Sequence, residues 1–173
     1  MTALRLALAL ILTLAVQTSL AHAATGNRAT VDLVLVLVVF VALRHGTVAG
    51  LLFGSVAGLC QDALSGGIIG VGGLAKSLVG ACVGALATQF IITNPVPRFL
   101  VFLGATIVHA ACFVGIYALI EPPTGGRIWS VVLPQALVNA GLGLMMFAAV
   151  ERLPEALSRR RLRRTHLRTR REA

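Results

Sequence analysis

Four ionisable side chains stand in, or at the edges of, long apolar runs of this 173-residue chain: Asp32, Asp62, Lys76 and His109. Charged groups in hydrocarbon are costly, and they mark proton pathways or ties between helices. A proton relay needs several acidic groups at depth. The acids here stand at positions 32, 62, 121, 151, 155 and 172, and their scatter offers no evident pairing with a base inside the apolar runs. No G-x-S-x-G, phosphate-binding loop or H-E-x-x-H run occurs. Cys60, Cys82 and Cys112 form no CxxC pair and stand apart from any histidine cluster, so neither a disulfide framework nor a zinc site is indicated. No catalytic residue, metal site or cofactor is expected, and the cysteines read as small packing residues.

Composition says where such residues must sit. The chain is 57% hydrophobic and only 12% charged, against roughly 25% charged in soluble domains. It therefore belongs in a membrane. The net charge of +9 describes the C-terminus, because eight arginines fall between Arg159 and Arg171. A bilayer core of ~30 Å needs ~20 apolar residues per helix. Six candidate spans follow, near 4–21, 29–44, 46–62, 69–92, 98–120 and 128–151, so the expected fold is an all-α six-helix transmembrane bundle. Residues 1–155 form the bundle and 156–173 a basic tail. The second and third spans are short and are read as tilted crossings in preference to a re-entrant hairpin.

Positive residues near helix ends stay cytoplasmic. With the tail inside, Arg5, Arg44, Arg98, Arg152 and the eight tail arginines lie inside, against Arg28 and Arg127 outside. Both termini are therefore expected in the cytoplasm. The N-terminal segment has two readings. It is either a retained first helix or a secretory signal cleaved after Ala23, where "AHAA" gives an A-x-A site.

Glycine spacing carries the packing information. Gly46, Gly50, Gly54 and Gly58 recur every fourth residue through the third span, while Gly72, Gly80 and Gly84 share a stripe on the fourth, with Lys76 between them and Thr88 below. Helices in lipid associate through close packing, so these two smooth faces are expected to form a tight antiparallel pair. Asp62 ends the glycine-striped helix, and the following "SGGIIGVGG" supplies the turn. Lys76 lies one to two turns into the next helix. Asp62 and Lys76 are expected to approach each other, or to share polar groups of the loop, and so pin the hairpin; in the alternative, Lys76 snorkels alone. Asp32 opens the second span near the outer surface, where a carboxylate complements a helix N-terminus. His109, Gln135 and Asn139 read as interhelical hydrogen-bonding groups.

The stretch after Asp32, "LVLVLVVFVALRHGTVAGLLFGSVAGLCQDALSGGIIGVGGLAKSLVGACVG", resembles the rod shape-determining protein MreD family. The similarity lies in an aspartate-leucine entry to an apolar helix, a "G-x-x-x-G-x-x-x-G-L-x-x-D" helix and a "G-L-A-K-S-L-V-G" restart. "LPQALVNAGLGLMMF" and the basic tail are similar too. The resemblance covers about residues 29–160, with residues 46–80 its specific part. Thr30 and Val31 stand where the family often has a proline before the aspartate. The resemblance implies a non-enzymatic inner-membrane component of the bacterial elongation machinery. Its implied partners are an MreC-like membrane protein, the elongation-complex peptidoglycan synthases and cytoplasmic MreB filaments. It also implies a fold similar to the six-helix substrate-binding S-components of vitamin transporters.

That similarity supplies the competing function, a transporter subunit that binds a small molecule. Such a pocket wants convergent aromatic and polar groups, and this chain has one Trp and one Tyr, Trp129 and Tyr117. The scaffold is favoured. The arginine tail is read as an anchor on anionic lipids, with docking of a filament protein as the alternative. Nucleic acid is not an expected partner, since no aromatics are interleaved with the arginines.

Overall fold

In a computed structural model, residues 3–23, 31–66, 68–90, 92–120 and 128–169 are described. They form six helices: α1 (Ala3–Ala23), α2 (Leu33–His45), α3 (Thr47–Ser65), α4 (Val71–Gln89), α5 (Pro95–Ile120) and α6 (Ile128–Thr169). Arg28, Arg127 and the start of the segment following Ala23 lie outside the described residues.

Five helices are long and apolar enough to cross a membrane. The sixth is α2, a shorter apolar helix, as its short candidate span led one to expect. With 13 residues it is about 20 Å long, short of a ~30 Å hydrocarbon core. Its sequence explains its place, because a helix that is apolar all round belongs in an interior. Every residue from Val34 to Ala42 is buried. The helix stops at Gly46, whose φ of +83° suits a residue without a Cβ and whose N–H bonds to the Ala42 carbonyl. α3 begins at the next residue.

α3 and α4 run antiparallel with their backbones in contact. A Cβ built on Gly50 falls on the Gly80 carbonyl, one on Gly54 meets the Lys76 carbonyl, and one on Gly58 comes 2.6 Å from the Gly72 carbonyl and Gly73 Cα. On the other helix, a Cβ on Gly80 falls on the Gly50 carbonyl and one on Gly84 lies 2.5 Å from Thr47. The two stripes thus face each other turn by turn, and the backbone of Lys76 occupies one place in the α4 stripe. At the end of the pair, a Cβ on Gly46 would touch Thr88 at 3.7 Å.

Around this pair, the core collects α2 with Phe102 and Ala105 of α5, Ala140 and Phe147 of α6, and Leu10 and Leu14 of α1. α6 continues as a helix past its apolar window, which ends at Arg152, as far as Thr169.

These glycines differ sharply in what a side chain would cost. Gly54→Ala should lower stability by about 1–3 kcal/mol through overpacking against the Lys76 backbone. Gly104→Ala should leave it unchanged, since nothing lies within 4 Å of a Cβ at Gly104. Thermal unfolding of the two variants in detergent, compared with the wild type, measures the difference.

Candidate functional site: a buried polar network joining five helices

Asp32 is the N-cap of α2. Its Oδ1 accepts from the Leu35 N–H at 2.9 Å, which satisfies a donor that the first helical turn leaves free. Its Oδ2 meets the Lys76 ammonium of α4 at 2.8 Å. Both residues are buried, Asp32 5% and Lys76 3% exposed. Lys76 Nζ also lies 3.1 Å from Nε2 of His109 on α5. An ammonium can only donate, so Nε2 is the acceptor and the ring proton sits on Nδ1.

α6 joins through Asn139, which is fully buried. Its Oδ1 accepts from the Asp32 N–H at 3.1 Å, and its Nδ2 donates to Thr106 Oγ1 at 3.3 Å. Thr106 donates in turn to the Phe102 carbonyl at 3.0 Å. α1 contributes Gln17, whose Nε2 donates to the Val31 carbonyl at 2.8 Å and whose Oε1 accepts from the Leu33 N–H at 2.9 Å. Those backbone groups precede or open α2, where no helical partner exists for them, and in lipid an unmet amide costs several kcal/mol.

The depth of the network follows from the opposite end of the bundle. There Arg98 donates two bonds to Glu151 at 2.8 and 2.9 Å, Arg44 approaches the same carboxylate at 3.7 Å, and Arg98 covers the Phe147 ring at 4.3 Å. From this charged end, Asp32, His109 and Asn139 each lie eleven or twelve residues along their helices. At 1.5 Å per residue that is about 17 Å, roughly half of the hydrocarbon thickness. Asp32 thus stands inside the bundle beside Lys76, five residues into α4. α2 begins inside the bundle, beside the Asp32–Lys76 pair.

The expected approach of Asp62 to Lys76 is corrected. Asp62 Oδ2 accepts from the N–H groups of Gly70, Gly72 and Gly73 at 2.9, 3.0 and 3.2 Å, so it caps the start of α4. Gly72 permits this, because a Cβ there would collide with Asp62 Oδ1. Lys76 lies one turn deeper and extends towards α2 and α5. The expectation that no acid pairs with a base at depth fails at the same point, since Asp32 and Lys76 do. The structure thus unites Asp32, Lys76, His109 and Asn139 and leaves Asp62 with the hairpin loop.

Gln17 and Thr106 escaped the sequence reading. Gln17 had a signal, an amide inside the apolar run "LTLAVQTSL"; Thr106 had none. Chemically, both Asp32 oxygens are engaged and Lys76 is doubly bonded, an arrangement that holds charges in place. Among the described residues no group of three or more His, Cys, Asp and Glu side chains could hold a metal ion.

A model of the rod shape-determining protein MreD family matches residues 2–156. The chain belongs to the MreD family. This membership implies a structural, multi-pass membrane protein that acts in determining rod shape. The match takes in α1, the whole polar network and the apolar length of α6. Neither the curated proteins nor the solved structures contain a significant match to the chain.

Removing one partner of a buried ion pair costs about 3–5 kcal/mol, whereas replacing both with apolar residues of similar volume is often nearly neutral. Asp32→Leu and Lys76→Met should each lower the folded yield in membranes strongly, and the double variant should recover much of it. Exchanging the charges of Asp62 and Lys76 should give no rescue. Size-exclusion profiles of fluorescently tagged variants test both outcomes.

Proposed function

We propose that this chain is a non-enzymatic scaffold of the bacterial inner membrane, linking an MreC-like membrane protein and the peptidoglycan synthases of the elongation complex to the cytoskeleton. The observation that carries this reading is the backbone contact of α3 and α4. A scaffold must present a fixed surface, and two helices interlocked at every turn cannot slide past each other without collisions. The network through Asp32 and Lys76 then ties α1, α2, α5 and α6 to that fixed pair.

In this reading residues 1–155 are the membrane bundle, both termini are cytoplasmic, and residues 156–173 form a basic tail on anionic lipids, each arginine contributing ~1 kcal/mol near a charged surface. The gathering of Arg44 and Arg98 at the Glu151 end of α6, the end from which the chain runs on into the arginine block, supports that orientation. The bonds of Gln17 to Val31 and Leu33 support α1 as a retained part of the bundle. Glycines 46, 50, 54, 58, 80 and 84 serve as its packing residues, and Asp32, Asp62, Lys76, His109 and Asn139 as its polar ties.

The groove beside α4 does not favour a vitamin-binding subunit. Leu51, Leu74, Leu78, Ile116 and Leu119 are among its lining residues, and the Ser77 hydroxyl on its wall already donates to the Leu74 carbonyl at 2.8 Å. A small polar ligand would want several convergent polar groups there.

Paired Gly50→Leu and Gly54→Leu substitutions should reduce copurification of the membrane partner about tenfold or more, equivalent to at least ~1.4 kcal/mol, and turn rods into spheres. Gly104→Leu, facing open space, should do neither. Normal rods from the paired variant at wild-type abundance would refute the scaffold reading. Intact mass spectrometry of the purified protein checks α1, with a peak retaining residues 3–23 expected.

A further inference from the structure

At the end of the bundle where α2 gives way to α3, two arginines meet one carboxylate on unequal terms. Arg98 of α5 engages both of its oxygens: Nη1 donates to Glu151 Oε2 at 2.9 Å and Nη2 to Oε1 at 2.8 Å, while Nε donates to the Ile92 carbonyl at 3.3 Å. Every nitrogen of that guanidinium has an acceptor. Arg44, in the last turn of α2, is placed differently. Its Nη2 stops 3.7 Å from Glu151 Oε1, beyond the reach of a hydrogen bond, and among the described residues nothing accepts from any of its five N–H groups. The cation is nevertheless held, because it lies over two rings at once, 5.6 Å from the centroids of both Phe40 and Phe147. Those rings are buried and stand 4.7 Å apart. The platform beneath Arg44 is therefore part of the core.

We propose that Arg44 binds the phosphate of an anionic phospholipid headgroup at this corner of α2, α5 and α6. A planar fork of donors seated on aromatic rings can meet two phosphate oxygens together, which an ammonium cannot do. Its position suits a lipid. α2 ends at His45, the apolar length of α6 ends at Arg152 and that of α5 starts at Pro95, so Arg44 stands where hydrocarbon gives way to headgroups, and basic pockets between membrane helices recognise such groups. Access is open, since the Arg44 side chain is 40% exposed. Charge then selects the kind of headgroup. Glu151 is the carboxylate at this corner among the described side chains, and Arg98 already matches it, so Arg44 and the exposed Arg152 leave a positive balance. The ammonium of a zwitterionic headgroup meets that balance as repulsion; a phosphodiester without a cation relieves it. The site is distinct from the arginine tail, because it is built on rings and side chains inside the bundle.

Native mass spectrometry of the full chain in mild detergent, titrated with phosphatidylglycerol, reads the first bound lipid. Arg44→Gln should weaken that binding about tenfold, yet melt like the wild type without lipid, because its guanidinium has no hydrogen bond to lose. Changing the eight arginines between Arg159 and Arg171 to glutamine should remove later lipids and keep the first. Phosphatidylethanolamine should bind the wild type more weakly than phosphatidylglycerol, and inorganic phosphate should not displace the bound lipid. Unchanged affinity in Arg44→Gln overturns the site, as does loss of the first lipid in the tail variant or equal binding of the two lipids. Displacement by inorganic phosphate overturns the lipid as its occupant. If Arg44→Gln fails to fold, Arg44→Lys gives the decision: it keeps the charge without the fork, so a weakening of about threefold supports the site, and none overturns it.

Discussion

The structure depends on the absence of side chains along one side of α3. In lipid, apolar side chains gain little by leaving one hydrocarbon surface for another, so helices hold together through the closeness of their packing. Gly50, Gly54 and Gly58 let the α4 backbone approach until a single carbon atom would not fit. Dispersion contacts are individually small and fall away quickly with distance, so this proximity holds α3 and α4 together. It also sets the register: Gly50 meets Gly80, Gly54 meets Lys76 and Gly58 meets Gly72 and Gly73.

That register determines where Lys76 stands, and a buried lysine dictates much of the remaining architecture. Its charge must be met, and Asp32 meets it at 2.8 Å. An aspartate can sit at that depth because it is also the N-cap of a helix that begins there. α2 consequently starts in the middle of the bundle, and the non-helical backbone before it needs partners that water would otherwise supply. Gln17 and Asn139 provide them. The network is one solution to two problems, a buried cation and a helix end in a dry place.

The same logic separates rigid parts from loose ones. α3 and α4 interlock through backbone, which leaves no freedom to slide. The far half of α5 touches α4 through side chains at His109 and borders a groove beyond it. A membrane protein of the MreD family thus combines a pair of helices in backbone contact with a neighbour that borders a groove.

Much of this was legible in the chain itself. Apolar runs mark the helices, because hydrocarbon admits few other backbone solutions, and a four-residue glycine period declares a smooth face because side-chain spacing on a helix is fixed. The motifs between residues 46 and 80 were enough to suggest the family. Three-dimensional matters were not legible. The segment at 29–44 is apolar whether it crosses the bilayer or hides inside the bundle, so composition could not show that α2 starts inside the bundle beside Lys76. Asp62, fourteen positions from Lys76, was the nearer acid in sequence, yet Asp32 is the partner. Pairing depends on which helices fold alongside one another and at what height, and the local residue pattern carries neither quantity.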